Sequence, residues 1–441
     1  MKFETIDKTN KLNKSFQNVN SEEELINILK NSTSSISSGS ALTFAPNFTD
    51  ESSILISHKK LNKIINFDIE NELIHTQSGC QLYEIQNYLL DFKYMLKIHP
   101  GWPTTTVGGC IANSIHGKNP YLDGTFGDIV DEIRIILPGD SKPILCSRNI
   151  ESELFFNTIG GYGLTGTILS AKLKVSKINS FYFSEKTIEI DSFEKSIEYQ
   201  INNAKKLAAY SWHDTIIRNN KFGRGLIFEY FDEVTKENEP IFNKKMKKIL
   251  DIKKYNQPIN FFNKFSYEIV NNIYRKMKLH KKNVKIDIFS YLYPMSVFPI
   301  PYWFFFNGYT GFIEHQILIP MQNYEKYFFE LKRKIYKYNI QPYMSFIKLF
   351  NGKKKNLMFD GKGIALSIEF LNKKKYVNFL NTLDELNTEH GAITALYKDS
   401  RVSKETVIKQ YGDNYYNFQK FIKYIDPKKK IMSKFKRKFL I

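Results

Sequence analysis

The sequence is poor in cysteine. Its 441 residues hold three, Cys80, Cys110 and Cys146, too few for a disulfide framework or a four-thiolate zinc site. The start, Met1-Lys2-Phe3-Glu4-Thr5, has no apolar stretch after its charges. No secretory signal is read there, and the expectation is a reducing, cytoplasmic chain. A G-x-x-x-x-G-K-[ST] run and a G-x-S-x-G elbow are both missing, which leaves a P-loop phosphotransferase and a nucleophile-elbow hydrolase unsupported. The eight histidines show neither H-x-x-x-H nor H-E-x-x-H spacing, so no metal site is expected. Zinc-finger, RNA-recognition and basic-zipper signatures are also lacking, and no nucleic acid is expected as a partner despite a net charge of +19.

Aromatic residues are abundant. With 36 Phe and 27 Tyr, the chain carries far more apolar area than a disordered polar one, and its length suits two or three domains. Charge is uneven: residues 236–286 hold 14 Lys/Arg against 4 acids, and the tail Asp426–Ile441 holds 7 against 1. Part of this is composition, and part suits phosphate or an anionic membrane surface. Ile288–Phe312 is free of charge and long enough to span a bilayer. Pro294, Pro299 and Pro301 interrupt it, so a spanning helix is rejected. The alternatives are a buried connection with Trp303 and Phe304–Phe306 in the core, or an aromatic surface touching membrane.

Ser21-Glu22-Glu23-Glu24 reads as a capping box ahead of Leu25, Ile28 and Leu29. Strands are expected at Ile54–Ile56, Ile64–Phe67 and Leu73–Thr76, then a helix over Gln81–Phe92 with Leu82, Ile85, Leu89 and Phe92 on one side. Further on come strands Ile133–Leu137, Ile144–Cys146 and Thr167–Val175, with a short helix Glu153–Thr158. This mixed domain ends near residue 178. Residues 179–395 alternate strands with amphipathic helices such as Tyr324–Tyr338.

Two glycine clusters carry the chemistry. The stretch 99–127 includes Gly101, Gly108, Gly109, Gly117, Gly124 and Gly127 among small polar residues. It reads as a loop whose backbone N–H groups form a concave site for an anion such as pyrophosphate. Gly160-Gly161-Tyr162-Gly163-Leu164-Thr165-Gly166 follows, and Gly161-x-Gly163-x-x-Gly166 superficially fits a dinucleotide fingerprint. It precedes a strand, where that fold needs one before and a helix after.

Thr106-Val107-Gly108-Gly109, with Ile115-His116-Gly117-Lys118-Asn119, resembles the FAD-binding domain of the vanillyl-alcohol oxidase / p-cresol methylhydroxylase (PCMH-type) superfamily. Within it the motifs resemble those of the flavin oxidases of polyprenylphosphoryl-ribose. Glu153-Leu154-Phe155 and Gly160–Gly166 resemble that family's ELF…GGxGLTG run. Substrate-side motifs resemble Tyr210-Ser211-Trp212-His213-Asp214, Glu314-His315-Gln316 with Ile319-Pro320, and Lys398-Asp399-Ser400-Arg401. The ending Asp426-Pro427…Ser433…Arg437…Leu440 resembles its terminus.

The resemblance implies an α+β chain: a two-subdomain PCMH-type FAD-binding domain (1–178), an α/β substrate or cap domain with an antiparallel sheet (179–395), and a C-terminal segment (396–441) returning to the flavin. It implies a flavin cradle of Ser38, Gly39, Ser40, Ala41, Leu42 and Thr43. Gly101, Thr106, Val107, Gly108, Gly109, Asn113, Ser114, Ile115, His116 and Gly117 belong to the same cradle, with Gly124, Gly127, Gly163, Gly166 and Ile168. Lys398 is the first catalytic candidate, a cation or base at the reacting hydroxyl; its bland alternative is a surface salt bridge with Asp399. His116 is the second, as a donor to flavin or a substrate contact. Lys118, Trp212, Gln316, Lys348 and Ser367 are the substrate-binding candidates, Lys118 for a phosphate.

The implied reaction oxidises the C2 hydroxyl of a polyprenyl-phosphate-linked pentose to a keto sugar. It forms the first half of an epimerisation in cell-surface polysaccharide synthesis. A short-chain reductase is the implied partner, with peripheral association at the inner membrane face. A soluble sugar or aldonolactone oxidase and a flavin-free scaffold are the alternatives. Where relatives read R-G-x-G-x-S-x-G, this chain has Ser38-Gly39-Ser40-Ala41-Leu42-Thr43-Phe44-Ala45. It lacks the arginine that grips phosphate and the histidine that tethers flavin, so FAD is expected to be non-covalent and released by acid. Ser367 stands in place of a cysteine, and Ala395 in place of a tyrosine.

Overall fold

A computed structural model describes residues 3–5, 8, 10–204, 208–217, 221–233, 245–246, 263–281, 283–294 and 310–441. Most of the basic stretch before residue 263, and Trp303 with Phe304–Phe306, lie outside the described residues. The fold is α+β with antiparallel sheets, apart from one small parallel one.

Two sheets build the first half. Ile54–Ser57 runs between Gln17–Asn18 and Ser35–Ser38 in the parallel sheet. The helix Glu22–Asn31 covers it, burying Leu25 and Leu29 against Ile56, Ile136 and Leu169. Ser21 accepts from the Glu24 N–H at its start, and Glu24 turns back onto the Asn20 N–H. The second sheet has the order Pro143–Ser147, Val130–Ile136, Thr167–Lys174, Leu73–Gln77, Ile64–Asp68, all antiparallel.

Two expectations need correction here. The helix expected over Gln81–Phe92 spans Leu82–Leu89, followed by a single 3-10 turn, Leu90–Phe92. Lys93 is left-handed at φ 59°, and the tighter turn swings Phe92 out to 40 % exposure. The stretch 99–127 is not one loop. A helix, Val107–Asn113, sits inside it, with short turns Pro120–Asp123 and Phe126–Ile129. Helix is possible through Gly108 because its missing Cβ lets the first turn pack on Ser78, 3.1 Å from where that carbon would lie.

The second half is an eight-stranded antiparallel sheet. Its order is Asn283–Asp287, Tyr182–Ile190, Gly225–Asp232, Ala208–His213, Ser345–Asn351, Lys362–Leu371, Phe312–Pro320, Ile393–Thr394. Alternation divides its residues between two faces. Ile313, Ile317, Ile347, Leu349, Ile364, Leu366 and Ile368 meet the helices Phe193–Asn203, Tyr324–Lys337 and Lys374–Glu389 in one core. Their neighbours Glu314, Gln316, Lys348, Ala365 and Ser367 fall on the opposite face.

Residues 396–441 pack against the first half. Tyr411, Tyr415, Phe418, Phe435 and Phe439 share its core, and Ile431 bridges in parallel to Ser35. The basic tail spends charge internally: Lys436, 3 % exposed, pairs with Asp426 at 2.6 Å, and Arg437 pairs with Asp50 at 2.6 Å.

Candidate active site

The face of the large sheet opposite those three helices meets the loop 115–118, and the expected substrate residues gather along that seam. Strand register does the gathering. Gln316 lies opposite Ser367, Ser367 opposite Phe346, and Phe346 opposite Trp212, so side chains from four strands share one face.

His116 joins the two halves. Its Nδ1 lies 3.1 Å from the Gly117 carbonyl, an acceptor, so Nδ1 carries the ring proton. Nε2 then accepts from Gln316 Nε2 at 3.0 Å. Burial, then the nearby Lys348, holds the imidazole well below its ordinary pKa, so the ring is neutral with no second proton to donate. Gln316 Oε1 accepts from the Tyr397 hydroxyl at 3.3 Å, extending the chain to the residue beside Lys398.

Lys398 does not pair with Asp399. Its Nζ donates to Glu314 Oε2 at 2.8 Å and stands 3.8 Å from the Phe44 ring centroid. Ser367 Oγ donates to the other Glu314 oxygen at 2.5 Å. Asp399 is buried elsewhere, taking His315 Nδ1 at 2.8 Å and Arg401 at 3.1 Å. His315 Nε2 accepts from Asn387 Nδ2 at 3.0 Å, and Arg401 forks onto Asp384. This network ties the strand carrying Glu314 and Gln316 to the loop carrying Lys398.

Lys118 and Lys348 complete the seam. Lys348 Nζ donates to the Gly117 carbonyl at 2.8 Å; burial, then Lys398, pushes its pKa down to about 8. Lys118 donates to the Tyr291 carbonyl, and its Nζ lies 4.2 Å from the Tyr291 ring centroid and 4.3 Å from that of Tyr230. Burial holds Lys118 well below its ordinary pKa as well. Glu185 is already taken by Lys278 at 2.7 Å and by the Tyr230 hydroxyl at 3.0 Å. Four lysines thus face two carboxylates, each carboxylate paired with one lysine. Among the described residues Lys118 and Lys348 have no carboxylate partner. Trp212 is 2 % exposed on this face and packs on Tyr274.

The first half supplies the cradle. Ser38-Gly39-Ser40 approaches Thr106 so closely that a Cβ on Gly39 would sit 1.9 Å from Thr106 Oγ1. Ala41 adopts φ 56°, left-handed backbone that suits glycine, so the loop keeps a glycine-type path without the glycine. Thr43 Oγ1 donates to the Tyr397 carbonyl at 3.2 Å. The Val107 and Gly108 N–H groups are spent on the carbonyls of Cys80 and Ser78, so they add nothing to an anion nest.

Ser114 Oγ donates to Thr125 Oγ1 at 2.9 Å, and Ile115 takes the Phe126 N–H on its carbonyl at 2.7 Å. Gly124, Gly127 and Gly166 serve packing: carbons there would strike Asp128, Ile159 and Ile136. Leu42 and Gly101 are partly exposed, while Ile168 is buried in the second sheet. Gly163 is different, left-handed at φ 72° with only Ile36 as near as 4.0 Å. Ser38 Oγ, Asn113 Oδ1 and both polar atoms of Asn47 are buried without partners, an arrangement that costs stability unless a ligand answers it. These orphans and the open Gly163 fit a flavin dinucleotide laid along Ser38–Thr43, which they would hydrogen-bond.

Sequence reasoning did not single out Asn47, Glu185, Tyr230, Tyr291 and Tyr397. Glu314 had a signal, since it shares strand parity with Gln316.

Residues 16–147 match the family described as FAD binding domain. The chain is 26 % identical over 391 residues to a decaprenylphosphoryl-beta-D-ribose oxidase of Mycolicibacterium smegmatis, covering 85 % of this chain and 83 % of that one. It is 28 % identical over 156 residues to a probable L-gulonolactone oxidase 4 of Arabidopsis thaliana, 34 % of this chain and 24 % of the other. It is 31 % identical over 120 residues to a mitochondrial D-lactate dehydrogenase (cytochrome) 1 of Saccharomyces cerevisiae, 26 % of this chain and 20 % of the other. With these last two the likeness covers a minor part of either chain.

Proposed function

We propose that this chain, an FAD-dependent oxidoreductase of the vanillyl-alcohol oxidase / p-cresol methylhydroxylase superfamily acting on CH–OH groups, oxidises the C2 hydroxyl of a polyprenyl-phosphate-linked pentose. The single observation that carries the substrate is the pair Lys118 and Lys348, buried lysines at the seam without a carboxylate, whose positive charge burial disfavours and an anionic group would restore. A neutral lactone has no use for them; a phosphodiester or phosphate does. The relative named as a decaprenylphosphoryl-ribose oxidase, matched over 85 % of this chain, supports the same reading.

The alcohol gives up a hydroxyl proton and a hydride to become a ketone, and FAD supplies the hydride acceptor. Lys118 holds the anionic group between the Tyr230 and Tyr291 rings. The His116–Gln316–Tyr397 chain orients the sugar hydroxyls. Lys398, fixed by Glu314, places positive charge where the alkoxide develops. Lys348, with its pKa near 8, keeps its proton near neutral pH and adds its charge to that of Lys118, while the hydroxyl proton passes to the Glu314 carboxylate that Lys398 and Ser367 hold. A short-chain reductase would then return the ketone as the epimeric alcohol.

Anaerobic addition of a prenyl-phospho-pentose to the FAD-loaded protein is expected to bleach the flavin's visible absorbance. Bleaching by an aldonolactone, with none by the phosphorylated lipid, would establish instead the second reading, a soluble sugar or aldonolactone oxidase. That reading draws on the likeness to the Arabidopsis protein but leaves Lys118 and Lys348 idle.

A further inference from the structure

The helix Lys264–His280 has two unlike faces. One belongs to the sheet: Tyr267 is 2 % exposed, Asn271 donates to Asp214 at 2.9 Å, Tyr274 packs on Trp212, and Lys278 reaches Glu185 at 2.7 Å. The other carries Phe265, Ile269, Ile273 and Met277, every fourth residue, exposed by 71 %, 45 %, 60 % and 45 %. Four-residue spacing drifts slowly around a helix, so these side chains form one oblique stripe. Among the described residues no other helix exposes four large apolar side chains. A water-facing helix of a monomer has no reason to carry such a stripe.

The charge around it has one sign. The only acid on the helix, Glu268, is paired with Lys221 at 2.8 Å, and Arg275 is paired with Glu189. Lys276 and Lys281 are exposed and have no carboxylate partner among the described residues. An apolar stripe with lysines beside it is the pattern of a helix lying in a membrane interface.

We infer that the outer face of Lys264–His280 docks on an anionic lipid surface, with Phe265, Ile269, Ile273 and Met277 at the headgroup–acyl boundary and Lys276 and Lys281 against lipid phosphates. The opposite face of the same helix closes the lysine seam through Lys278. Docking therefore brings the Lys118–Lys348 pair to the bilayer, where a phosphate on a long lipid resides. The purpose of this contact rests on the lipid-linked substrate proposed above; the contact itself does not.

The test is co-sedimentation of the full FAD-loaded chain with vesicles of phosphatidylcholine alone or mixed with phosphatidylglycerol. The wild type is expected to pellet with the anionic vesicles and release at high salt. Ile273→Glu, an exposed change that leaves folding and bound flavin intact, is expected to lower the partition more than about tenfold. Lys276→Glu is expected to lower it by roughly an order of magnitude. Equal pelleting of Ile273→Glu and wild type would overturn the inference. So would failure of the wild type to bind anionic vesicles, or a wild-type dimer that Ile273→Glu dissociates without any vesicle binding. Pelleting without bleaching by the lipid-linked pentose leaves the docking face standing and removes the substrate; bleaching without pelleting does the reverse.

Discussion

The two sides of the seam are made from different material. The flavin side is backbone: Gly39 pressed on Thr106, Ala41 in a left-handed turn, Gly163 facing open space. The substrate side is side chains: Lys118 from the loop 115–118, Lys348 from the sheet and Lys398 from the returning segment, set among Tyr230, Tyr291 and Phe44. Backbone supplies shape and fixed dipoles, which suit a cofactor that stays bound through turnover. Side chains supply mobile charge and protons, which suit a substrate that must react and leave.

Variants should separate the two sides. The largest effect is expected from Lys398→Ala, which should slow flavin reduction by about a hundredfold or more while the protein stays yellow. Unchanged turnover would remove Lys398 from the chemistry. Gly39→Val should do the opposite, because its side chain begins 1.9 Å from Thr106 Oγ1. We expect it to weaken FAD binding by about tenfold or more, read from flavin lost on gel filtration. A fully loaded Gly39→Val would show that the loop yields.

Acid should also distinguish the halves. Burial lowers His58 to about 4 and His99 to about 3 in the flavin half, and His213 to about 4 in the sheet half. Each binds its proton more readily unfolded than folded. Their contribution to stability is therefore complete above an unfolded pKa of about 6.5 and falls as pH drops toward 4, by about 1.4 kcal/mol per unit and residue. His75 and His116 of the flavin half are lowered by burial as well, so FAD release is expected to precede loss of the sheet's near-ultraviolet signal as pH falls through 5. Simultaneous loss would mean the halves unfold as one. The smallest effect belongs to Ala41→Gly. It relieves a left-handed alanine and should stabilise the chain by up to about 1 kcal/mol, raising the thermal midpoint. A lower midpoint would show that the Ala41 methyl contributes more than its backbone costs.

The contrast between the sides also explains what could be read in advance. A glycine cluster announces a backbone cradle, and the loop 160–166 was read for that reason; the loop 38–45, with Gly39 alone, was read only from the family resemblance. Legibility stopped at the helix Val107–Asn113, whose Gly108 marks close packing on Ser78 and whose first amides bond Cys80 and Ser78 carbonyls. On the substrate side the sequence named Lys118, Gln316, Lys348 and Lys398, but their partners depend on how segments far apart in sequence meet. Nothing local marks Glu185 as the carboxylate that takes Lys278, or Tyr230 and Tyr291 as the rings around Lys118. The tail charges misled in the same way. Lys436 and Arg437 count toward +19, yet they are spent on Asp426 and Asp50.

The central claim is that Lys118 and Lys348 bind the anionic group of the substrate. Its most direct test compares the affinity of a pentose phosphate with that of the free pentose, read from the flavin difference spectrum, in the wild type and in Lys118→Met. The account predicts that phosphate tightens binding in the wild type and that Lys118→Met erases most of this gain, leaving the free pentose unaffected. Equal affinity for both sugars in the wild type would contradict it.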